Sequence, residues 1–587
     1  MLLQGITTWL LISLTVALPA PERRQLAPTV QISHAKIIGS STTGIDTFKG
    51  IPYAQPPTGS LRLKPPKSIT KHLGTIQATS VPTACPQGSV SGPVGEDCLT
   101  LNIQRPSNIT RHSKLPVLFW IYGGAFAGGS TQSFDATQLL QTSISSSQPF
   151  IYVAVNYRLG GFGFLAGSEI LKDGSSNLGL LDQRLGLQWV ADNIASFGGD
   201  PNKVTIWGES AGSISVFDQM ALYGGQYHYK NKPLFRGAIM DSGSITPAQT
   251  VDSPRAQAVY DQVVLAGGCQ NSTHTLKCLR ALPYETFLAA TLTPPSYTSY
   301  TSLALSYLPR PDHKNGVLPA SPEILASHGH FAPVPFIIGD QEDEGTYFAL
   351  AQTNLTTTTL LTNYLQTIFF PSAPPSKIAS LVAAYPDDPS AGSPFNTGPN
   401  WNIYPQYKRL AALLGDIVFT LSCRLFLSYA SHIHPHVNIY SYLSSYGHGT
   451  PLLGTFHGSD IAIVYGQSLG FSQQSIQKYY LNFLHTLDPN RGPHQHGYGS
   501  AGENHNPHPS TNTNTNTNTN TNTNTNTNTN TNTTASANTT QLLIWPPWTP
   551  QTKQLLNFQA TQNLLITDDF RQTQYEVLKN IVGVLHV

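Results

Sequence analysis

The stretch KVTIWGESAGSISVF, residues 203–217, decides the fold. Its first part, KVTIWG (203–208), is a short apolar run with β-branched and aromatic residues, which is typical of a strand buried on both faces. A G-x-S-x-G sequence centred on Ser210 follows at once, and the small residues after it predict a helix. Glycines on both sides of the serine relieve crowding at a sharp turn. We therefore predict that Ser210 lies at a strand-to-helix turn, where its hydroxyl is a candidate nucleophile.

Similar apolar runs recur on both sides of this stretch and alternate with helix-like segments. A clear helical pattern is NLGLLDQRLGLQWVADNIASF, residues 177–197. Strands that alternate with helices predict an α/β fold, with a mostly parallel central sheet and helices on both faces. The other predicted strands are LPVLFWIYGG (115–124), FIYVAVNYR (150–158), FRGAIMDSG (235–243), PVPFIIGD (333–340) and VNIYSYLS (437–444).

Charge and the N-terminus limit the compartment and the partners. The 587-residue chain has only 11% charged residues and a formal net charge of +1, so it lacks the clustered positive field that nucleic-acid binding needs. Residues 1–20 are uncharged, carry an apolar run from Leu10 to Leu18, and have small residues at positions 17 and 20. This pattern predicts a secretory signal peptide. We find no other apolar stretch long enough to span a bilayer, so we expect a secreted protein without stable membrane insertion.

The rest of the chain, residues 25–587, is predicted to form one catalytic domain with one insert at 492–541. The insert contains eleven Thr-Asn dipeptides (511–532), and because this tract offers no apolar residues to bury, we expect the insert to be disordered. Its histidines lack the spacing of a structural zinc site, and we expect no metal. They are His494, His496, His505 and His508. Regular patterning returns at 545–550 and ends in a predicted amphipathic helix over 570–585.

Cysteines and sequons agree with an oxidising, extracellular setting. Four of the five cysteines form two close pairs in the sequence, and each pair could close a small loop. The fifth, Cys423, lies in an apolar run and is expected to be a buried free thiol. Candidate glycosylation sites are Asn108, Asn271 and Asn354, with further sequons at Asn532 and Asn538.

A nucleophilic serine needs a base, and the base needs an orienting carboxylate. The predicted strand 333–340 ends in DQEDEGT (340–346), which offers four carboxylates, and strand 437–444 is followed by GTFHGSD (454–460) with His457. Taken alone, the acidic loop could be a solvated turn and His457 an ordinary loop residue. The chain order serine, acid, histidine is nevertheless that of hydrolases with this type of serine turn.

The chain resembles the type-B carboxylesterase/lipase family, the esterase–lipase–cholinesterase group, and within it the secreted fungal esterases and lipases. The segment FGGDPNKVTIWGESAG (197–212) matches the serine signature of the family, and EDCLTLNI (96–103) matches its second signature. The resemblance runs from about residue 30 to the C-terminus, except for the insert, and implies the α/β-hydrolase fold. Other segments match in the expected order: FKGIPYAQPP (48–57), NYRLGGFGFL (156–165), NLGLLDQRLGLQWV (177–190), DEGT (343–346) and GTFHGSD (454–460).

The resemblance implies a role for each matching position. Ser210 is the expected nucleophile, Glu344 the acid and His457 the base, and no cofactor is expected. WIYGGAF (120–126) matches the oxyanion loop, where many relatives have glycine in place of Ala125. The other positions implied are the oxyanion-hole amides of Gly124, Ala125 and Ala211, the disulfides Cys85–Cys98 and Cys269–Cys278, and the supporting residues Glu209 and Ser242.

The expected activity is hydrolysis of carboxylic esters through an acyl-enzyme, with a small-molecule ester as substrate. In long-lid lipases of the family, the first disulfide loop is an amphipathic flap, whereas here PQGSVSGPVGED (86–97) has no helical apolar stripe. We therefore expect an open site that prefers soluble or moderately sized esters. Two alternatives stay open: a lipase or sterol esterase for long-chain esters, and a non-catalytic binding protein, because some relatives of this fold have lost catalysis.

Overall fold

The computed structural model describes residues 27–468, 470–493 and 542–585. The predicted signal peptide (1–20), residues 494–541 of the predicted insert and the four histidines of that insert lie outside the described residues. The single catalytic domain with one insert therefore stays a prediction.

The described chain is built around one large sheet. We number the strands β1 to β16 along the chain: Thr29–Ile32, Ala35–Ile38, Ser40–Thr42, Ile45–Pro52, Thr75–Gln77, Thr100–Pro106, Leu115–Ile121, Ile151–Val155, Gly199–Glu209, His228–Tyr229, Lys232–Pro233, Gly237–Asp241, Phe336–Gln341, Ile439–Ser444, Gln554–Phe558 and Asn563–Thr567.

Eleven of these strands form the central sheet in the order β16-β15-β14-β13-β12-β9-β7-β8-β6-β4-β3. The run from β15 to β8 is parallel throughout, and the strands at the two ends are antiparallel. The carboxyl ends of the parallel strands share one edge of the sheet, so the loops that follow β9, β13 and β14 meet there.

Helices cover the sheet, with α5 packed against β9 and β12, and α15 packed against β7. The helices α1 to α16 are Thr137–Ser145, Gly160–Gly163, Ser168–Asp173, Leu178–Asn193, Ala211–Gly225, Pro254–Ala266, Thr275–Ala281, Tyr284–Thr291, Pro322–Ser327, Thr358–Ile368, Pro375–Ala383, Tyr407–Gly415, Leu421–Ile433, Ile461–Val464, Phe471–Thr486 and Gln572–Lys579. Short 3₁₀ turns are Gly59–Leu61, Thr131–Ser133, Ile194–Phe197, Tyr347–Ala349, Pro389–Ala391 and Val582–Val584.

The predicted α/β fold is confirmed, and all six predicted strands lie in the parallel part of the sheet. Two details were wrong. The closing helix is shorter than predicted, because α16 ends at Lys579 and a 3₁₀ turn follows. The described chain also contains one helix, Tyr407–Ile433, that is long and apolar enough to span a membrane, although we expected no such stretch. That helix is wholly buried inside the protein, as expected for the core helix of a globular domain.

Both cysteine pairs form disulfides, Cys85–Cys98 and Cys269–Cys278. Cys423 on α13 is a buried free thiol, as the sequence predicts. The three candidate glycosylation residues, Asn108, Asn271 and Asn354, are all exposed.

A buried ion pair fixes helix α4 to the loop after β8. Arg158 donates from Nε and Nη2 to the two carboxylate oxygens of Asp182 at 2.8 Å each, and its backbone N–H donates to the same carboxylate at 3.0 Å. Both side chains are almost completely inaccessible, so removing one partner leaves an uncompensated charge in the core. The same helix carries a second, exposed pair between Asp192 and Lys230, with the two charged atoms 2.7 Å apart.

We predict that Asp182→Ala lowers the free energy of unfolding by about 3–5 kcal/mol, because Arg158 would be left buried and unpaired. Urea unfolding measures this loss. Asp192→Ala is the matched control on the same helix and should cost at most about 1 kcal/mol, since its pair is exposed. The double variant Arg158→Met/Asp182→Leu should regain much of the loss. Equal losses of stability for Asp182→Ala and Asp192→Ala would contradict the stabilising role of the buried pair.

Candidate active site

Ser210 lies between strand β9 and helix α5, as predicted. Its backbone has φ 58° and ψ −126°, and its N–H donates to the carbonyl of Asp241 at 2.9 Å. The turn depends on its glycines: a Cβ on Gly212 would overlap the carbonyl of Ile121, and a Cβ on Gly208 would overlap the carbonyl of Gly212. The tight turn therefore directs the Ser210 hydroxyl out of the sheet edge towards the loop after β14.

The four carboxylates at the end of β13 and in the loop after it have four different partners. Glu342 pairs with His448 near the surface, and the carboxylate of Asp343 accepts the backbone N–H of Thr455 at 2.9 Å. Asp340 is buried beside the Cys423 thiol. Of the four, only Glu344 contacts the imidazole of His457.

His457 connects Ser210 to Glu344. Its Nε2 lies 2.8 Å from the Ser210 Oγ, and its Nδ1 lies 2.5 Å from Oε2 of Glu344. The other carboxylate oxygen of Glu344 accepts the backbone N–H of Gln341 at 2.7 Å, which fixes the orientation of the carboxylate. These three side chains come from loops after three different parallel strands, and the structure brings them into one chain of hydrogen bonds.

Two phenylalanines enclose the imidazole. The ring centroids of Phe348 and Phe419 lie 5.0 Å and 4.6 Å from that of His457, and the two phenyl rings stack on each other at 5.8 Å. Only 10% of the His457 side chain is exposed. The imidazole therefore has little freedom to rotate away from its two hydrogen-bond partners.

The predicted oxyanion-hole residues lie beside the serine. Gly124, Ala125 and Ala211 all line the cavity that contains Ser210 and His457. Among the described residues, the backbone N–H groups of Gly124 and Ala125 make no backbone hydrogen bond, and the Ala211 N–H is at the free N-terminus of α5. Ala125 adopts φ 54°, a left-handed conformation that glycine reaches more easily.

Buried carboxyl groups surround the site and set the electrostatics around His457. Burial alone would lower the pKa of His457, but the charge and hydrogen bond of Glu344, with further charges nearby, raise it above the ordinary value. Burial raises the pKa of Glu209, whose Oε1 lies 3.5 Å from Nε2 of His457, to about 7. Burial likewise raises the pKa of Asp241 to about 6, although three side chains donate to its carboxylate. The donors are Trp207, Tyr442 and Tyr480.

The two residues that the resemblance marks as supporting differ in their contacts. Glu209 faces His457, as described above. Ser242 directly follows β12 in a left-handed conformation, and its buried hydroxyl has no hydrogen-bond partner within the described residues. Asp460, three residues after His457, is also buried, and both of its carboxylate oxygens lack a partner in the same part of the chain.

A cavity of about 310 Å³ opens next to the serine hydroxyl. Its wall is mainly apolar, and loop 86–97 contributes none of the lining residues. The apolar and aromatic lining residues are Ile214, Tyr297, Leu303, Leu305, Tyr347, Phe348, Val418, Phe419 and Phe456. Loop 86–97 has no helix; Gln87 instead exchanges two hydrogen bonds of 2.9 Å with the backbone of Gly129.

The sequence did not reveal the π-helical turn Asp416–Thr420 that places Val418 and Phe419 in this wall. The turn interrupts the buried helix 407–433, and its Asp416 accepts hydrogen bonds from Arg571 at 2.8 Å and from Tyr385 at 2.8 Å. π-helical turns are rare and often lie at functional sites. The acidic residue at position 416 in an otherwise apolar run is the only sequence signal that we can identify for it.

We predict that Glu344→Gln lowers the pKa of His457. The variant removes the negative charge that raises this pKa and keeps the burial that lowers it. The imidazole of the variant should therefore lose its proton at a lower pH than that of the wild type. NMR titration of ¹⁵N-histidine-labelled protein measures the difference. Glu342→Gln, whose side chain pairs with His448, is the matched control, and an equal pKa in all three proteins would refute the assigned contact.

The chain is similar to a known family and to secreted fungal proteins. The sequence profile of the Carboxylesterase family matches residues 26–537. The chain is 49% identical to the secreted triacylglycerol lipase LIP1 of Gibberella zeae, over 97% of this chain and 93% of that protein. It is 55% identical to secreted lipase 1 of Botryotinia fuckeliana, over 80% of this chain and 86% of that protein. The expected secretion is confirmed by these relatives, both of which are described as secreted.

Among solved structures, Aspergillus niger EstA superposes with a TM-score of 0.76 at 24% identity, over 96% of this chain and 99% of that one. Because the identity is low, this likeness concerns the fold. The family match over most of the sequence and the two close relatives identify the chain as a serine hydrolase that belongs to the carboxylesterase family.

Proposed function

We propose that the protein is a secreted triacylglycerol lipase that works through a serine acyl-enzyme. The observation that supports it most is the chain of hydrogen bonds from Glu344 through His457 to Ser210, at 2.5 Å and 2.8 Å, beside an apolar cavity. This arrangement suits cleavage of an ester whose acyl chain is apolar.

In the proposed mechanism, the Ser210 Oγ attacks the ester carbonyl carbon while Nε2 of His457 accepts the hydroxyl proton. Glu344 holds Nδ1 and stabilises the imidazolium that forms. The imidazolium then gives its proton to the leaving alcohol, and the acyl group stays on Ser210 as an ester. A water molecule attacks this ester with His457 again as base, which releases the fatty acid and restores the serine.

The proposed oxyanion hole consists of the backbone N–H groups of Gly124, Ala125 and Ala211. Such donors are strongest where the site excludes water, because they are already oriented before the charge develops. Two observations support this role: within the described part of the chain, the N–H groups of Gly124 and Ala125 make no backbone hydrogen bond, and Ala211 lies at a helix N-terminus.

The lipase proposal replaces our expectation of a preference for soluble esters. That expectation rested on loop 86–97, which lacks an amphipathic flap. In this proposal, substrate choice depends instead on the cavity wall that contacts the acyl chain. The residues of that wall lie outside loop 86–97 and include Val418 and Phe419 of the π-helical turn. The relatives in Gibberella zeae and Botryotinia fuckeliana are both described as lipases, which favours the long-chain alternative.

Two other functions are less well supported. A non-catalytic binding protein would have no need for the close contacts of His457 with both Ser210 and Glu344. Hydrolysis of sterol esters uses the same chemistry, and a substrate with a sterol as alcohol tests it directly. The exposed residues Asn108, Asn271 and Asn354 fit N-glycosylation of a secreted protein, and we propose them as glycan sites.

The backbone of the oxyanion loop offers a matched pair of alanine substitutions. Gly124→Ala would place a Cβ against the carbonyl of Gly128, at a φ of 106°, whereas a Cβ at Gly128 meets nothing closer than 3.6 Å. We expect Gly124→Ala to lower kcat for p-nitrophenyl butyrate by about 100-fold or more, the typical cost of losing an oxyanion donor. For Gly128→Ala, kcat should stay within about twofold of the wild-type value, because the N–H groups of the oxyanion hole are undisturbed.

Unfolding midpoints of both variants separate a displaced loop from a misfolded protein. Equal activity of the two variants, with both folded, would contradict the proposed oxyanion hole.

We further predict that the protein hydrolyses emulsified triolein and that Ser210→Ala abolishes the reaction. On soluble p-nitrophenyl esters, kcat/KM should rise by up to about fourfold for each added methylene until the cavity is filled, because burying one methylene contributes about 0.8 kcal/mol. A pH-stat assay follows the released fatty acid. Ser215→Ala, in the helix that follows Ser210, is the matched control and should stay active, since its hydroxyl accepts a hydrogen bond from Gln183 and does not line the cavity.

Cholesteryl oleate is assayed alongside triolein. A wild-type protein that cleaves only short soluble esters, or cholesteryl oleate far faster than triolein, would overturn the lipase proposal and leave the ester hydrolase intact.

A further inference from the structure

Four large side chains stand out from the surface beside the mouth of the cavity. Tyr300, Tyr347, Trp401 and Ile403 are each between 39% and 52% exposed, and we call them the aromatic rim. Tyr347 also lines the cavity, so the rim is continuous with the proposed acyl site. Exposed single apolar residues are common, but a group of them at the entrance of a site needs an explanation.

Direct hydrogen bonds hold the rim together. The 3₁₀ turn Tyr347–Ala349 is its centre, and two loops attach to the carbonyl groups of this turn. Ser302, two residues after Tyr300, donates to the carbonyl of Phe348 at 2.8 Å. Tyr404, directly after Ile403, donates to the carbonyl of Ala349 at 2.6 Å. The loops that carry Tyr300 and Trp401 therefore flank the same turn at the cavity mouth.

The segments that form the rim contain no charged residue. Residues 286–309, 345–376 and 389–407 include no Asp, Glu, Lys or Arg, although such residues make up 11% of the chain. An interface with a soluble protein commonly has a polar and charged rim. An anionic membrane would instead be recognised by Lys and Arg. The absence of charge over three separate segments at one site favours a neutral, apolar partner.

We propose that the aromatic rim is the surface with which the enzyme docks on a neutral lipid–water interface, such as a triacylglycerol droplet. The inference rests on the proposed lipase function and goes beyond it by naming the docking surface. Tyrosine and tryptophan suit this position, since each has an apolar ring and a polar group that stays in water. Docking through the rim places the cavity mouth on the lipid, a task that loop 86–97, with its Gly, Pro and Ser, is unsuited to perform.

The test is the double variant Trp401→Ser/Ile403→Ser. Neither residue lines the cavity, so hydrolysis of monomeric p-nitrophenyl butyrate should be unchanged. Tyr347 is left in place because it lines the cavity. Tyr300 is also kept, because its hydroxyl lies 3.4 Å from the side-chain nitrogen of Asn354, a candidate glycan site. The matched control, Leu265→Ser/Ile544→Ser, changes two residues that are more exposed and lie outside the three uncharged segments.

Adsorption is measured in the Ser210→Ala background, so that no lipid is consumed, by flotation of the protein with triolein droplets coated with phosphatidylcholine. We expect the rim variant to adsorb at least about tenfold more weakly, because it lacks two large side chains that would leave water on docking. The control variant should adsorb like the parent protein. In the active enzyme, triolein hydrolysis should fall in parallel with adsorption. Replacing part of the phosphatidylcholine with phosphatidylglycerol should not strengthen adsorption.

Normal adsorption of the rim variant, or an equal loss in the control variant, would overturn the inference and leave the lipase proposal standing. Stronger adsorption on phosphatidylglycerol-coated droplets would overturn the neutral-surface assignment. If the wild type does not hydrolyse triolein, the lipase proposal fails, and the flotation result on the Ser210→Ala protein still decides whether the rim binds lipid.

Discussion

The pair of hydrogen bonds made by His457 is the constraint on which the rest of the site depends. One imidazole must contact Ser210 on one side and Glu344 on the other, and these residues are 247 and 113 positions away along the chain. A parallel sheet satisfies this constraint simply, because the loops after β9, β13 and β14 all leave the same edge. The isolated bridge between Asp343 and Phe456 then draws the loop with His457 against the loop with Glu344.

The same contacts explain how several carboxyl groups are accommodated in a buried region. Burial favours the neutral acid, and this effect raises the pKa of Glu209, Asp241 and Asp460. Glu344 is hydrogen-bonded both to the imidazole of His457 and to the backbone N–H of Gln341. The site therefore positions one carboxylate against Nδ1 of His457, where it can stabilise an imidazolium, and the carboxyl groups around it have pKa values that burial raises.

The sequence predicted the parts of the structure that depend on local patterns. Six buried strands, the turn at Ser210 and the buried thiol of Cys423 follow from apolar runs and glycine positions. The resemblance to a family added the choice of Glu344 among four carboxylates, which no local pattern could make. The antiparallel outer strands, such as β4 and β16, and the π-helical turn 416–420 were missed. These depend on distant partners: Arg571 reaches Asp416 from 155 residues away, and no local periodicity records such a contact.

The site also concentrates backbone strain. Ala125, Ser210 and Ser242 all have φ between 54° and 58°, a region that costs a non-glycine residue about 1–3 kcal/mol. Two of these residues are held by a backbone hydrogen bond: Ser210 N–H donates to the carbonyl of Asp241, and Ser242 N–H donates to the carbonyl of Gly339, a residue of β13. The two donors directly follow β9 and β12, and their acceptors lie in the adjacent strands β12 and β13, so the parallel sheet itself maintains the strain. A rigid parallel core is thus needed both to bring His457 to Ser210 and to keep the serine turn in a conformation that it would not adopt alone.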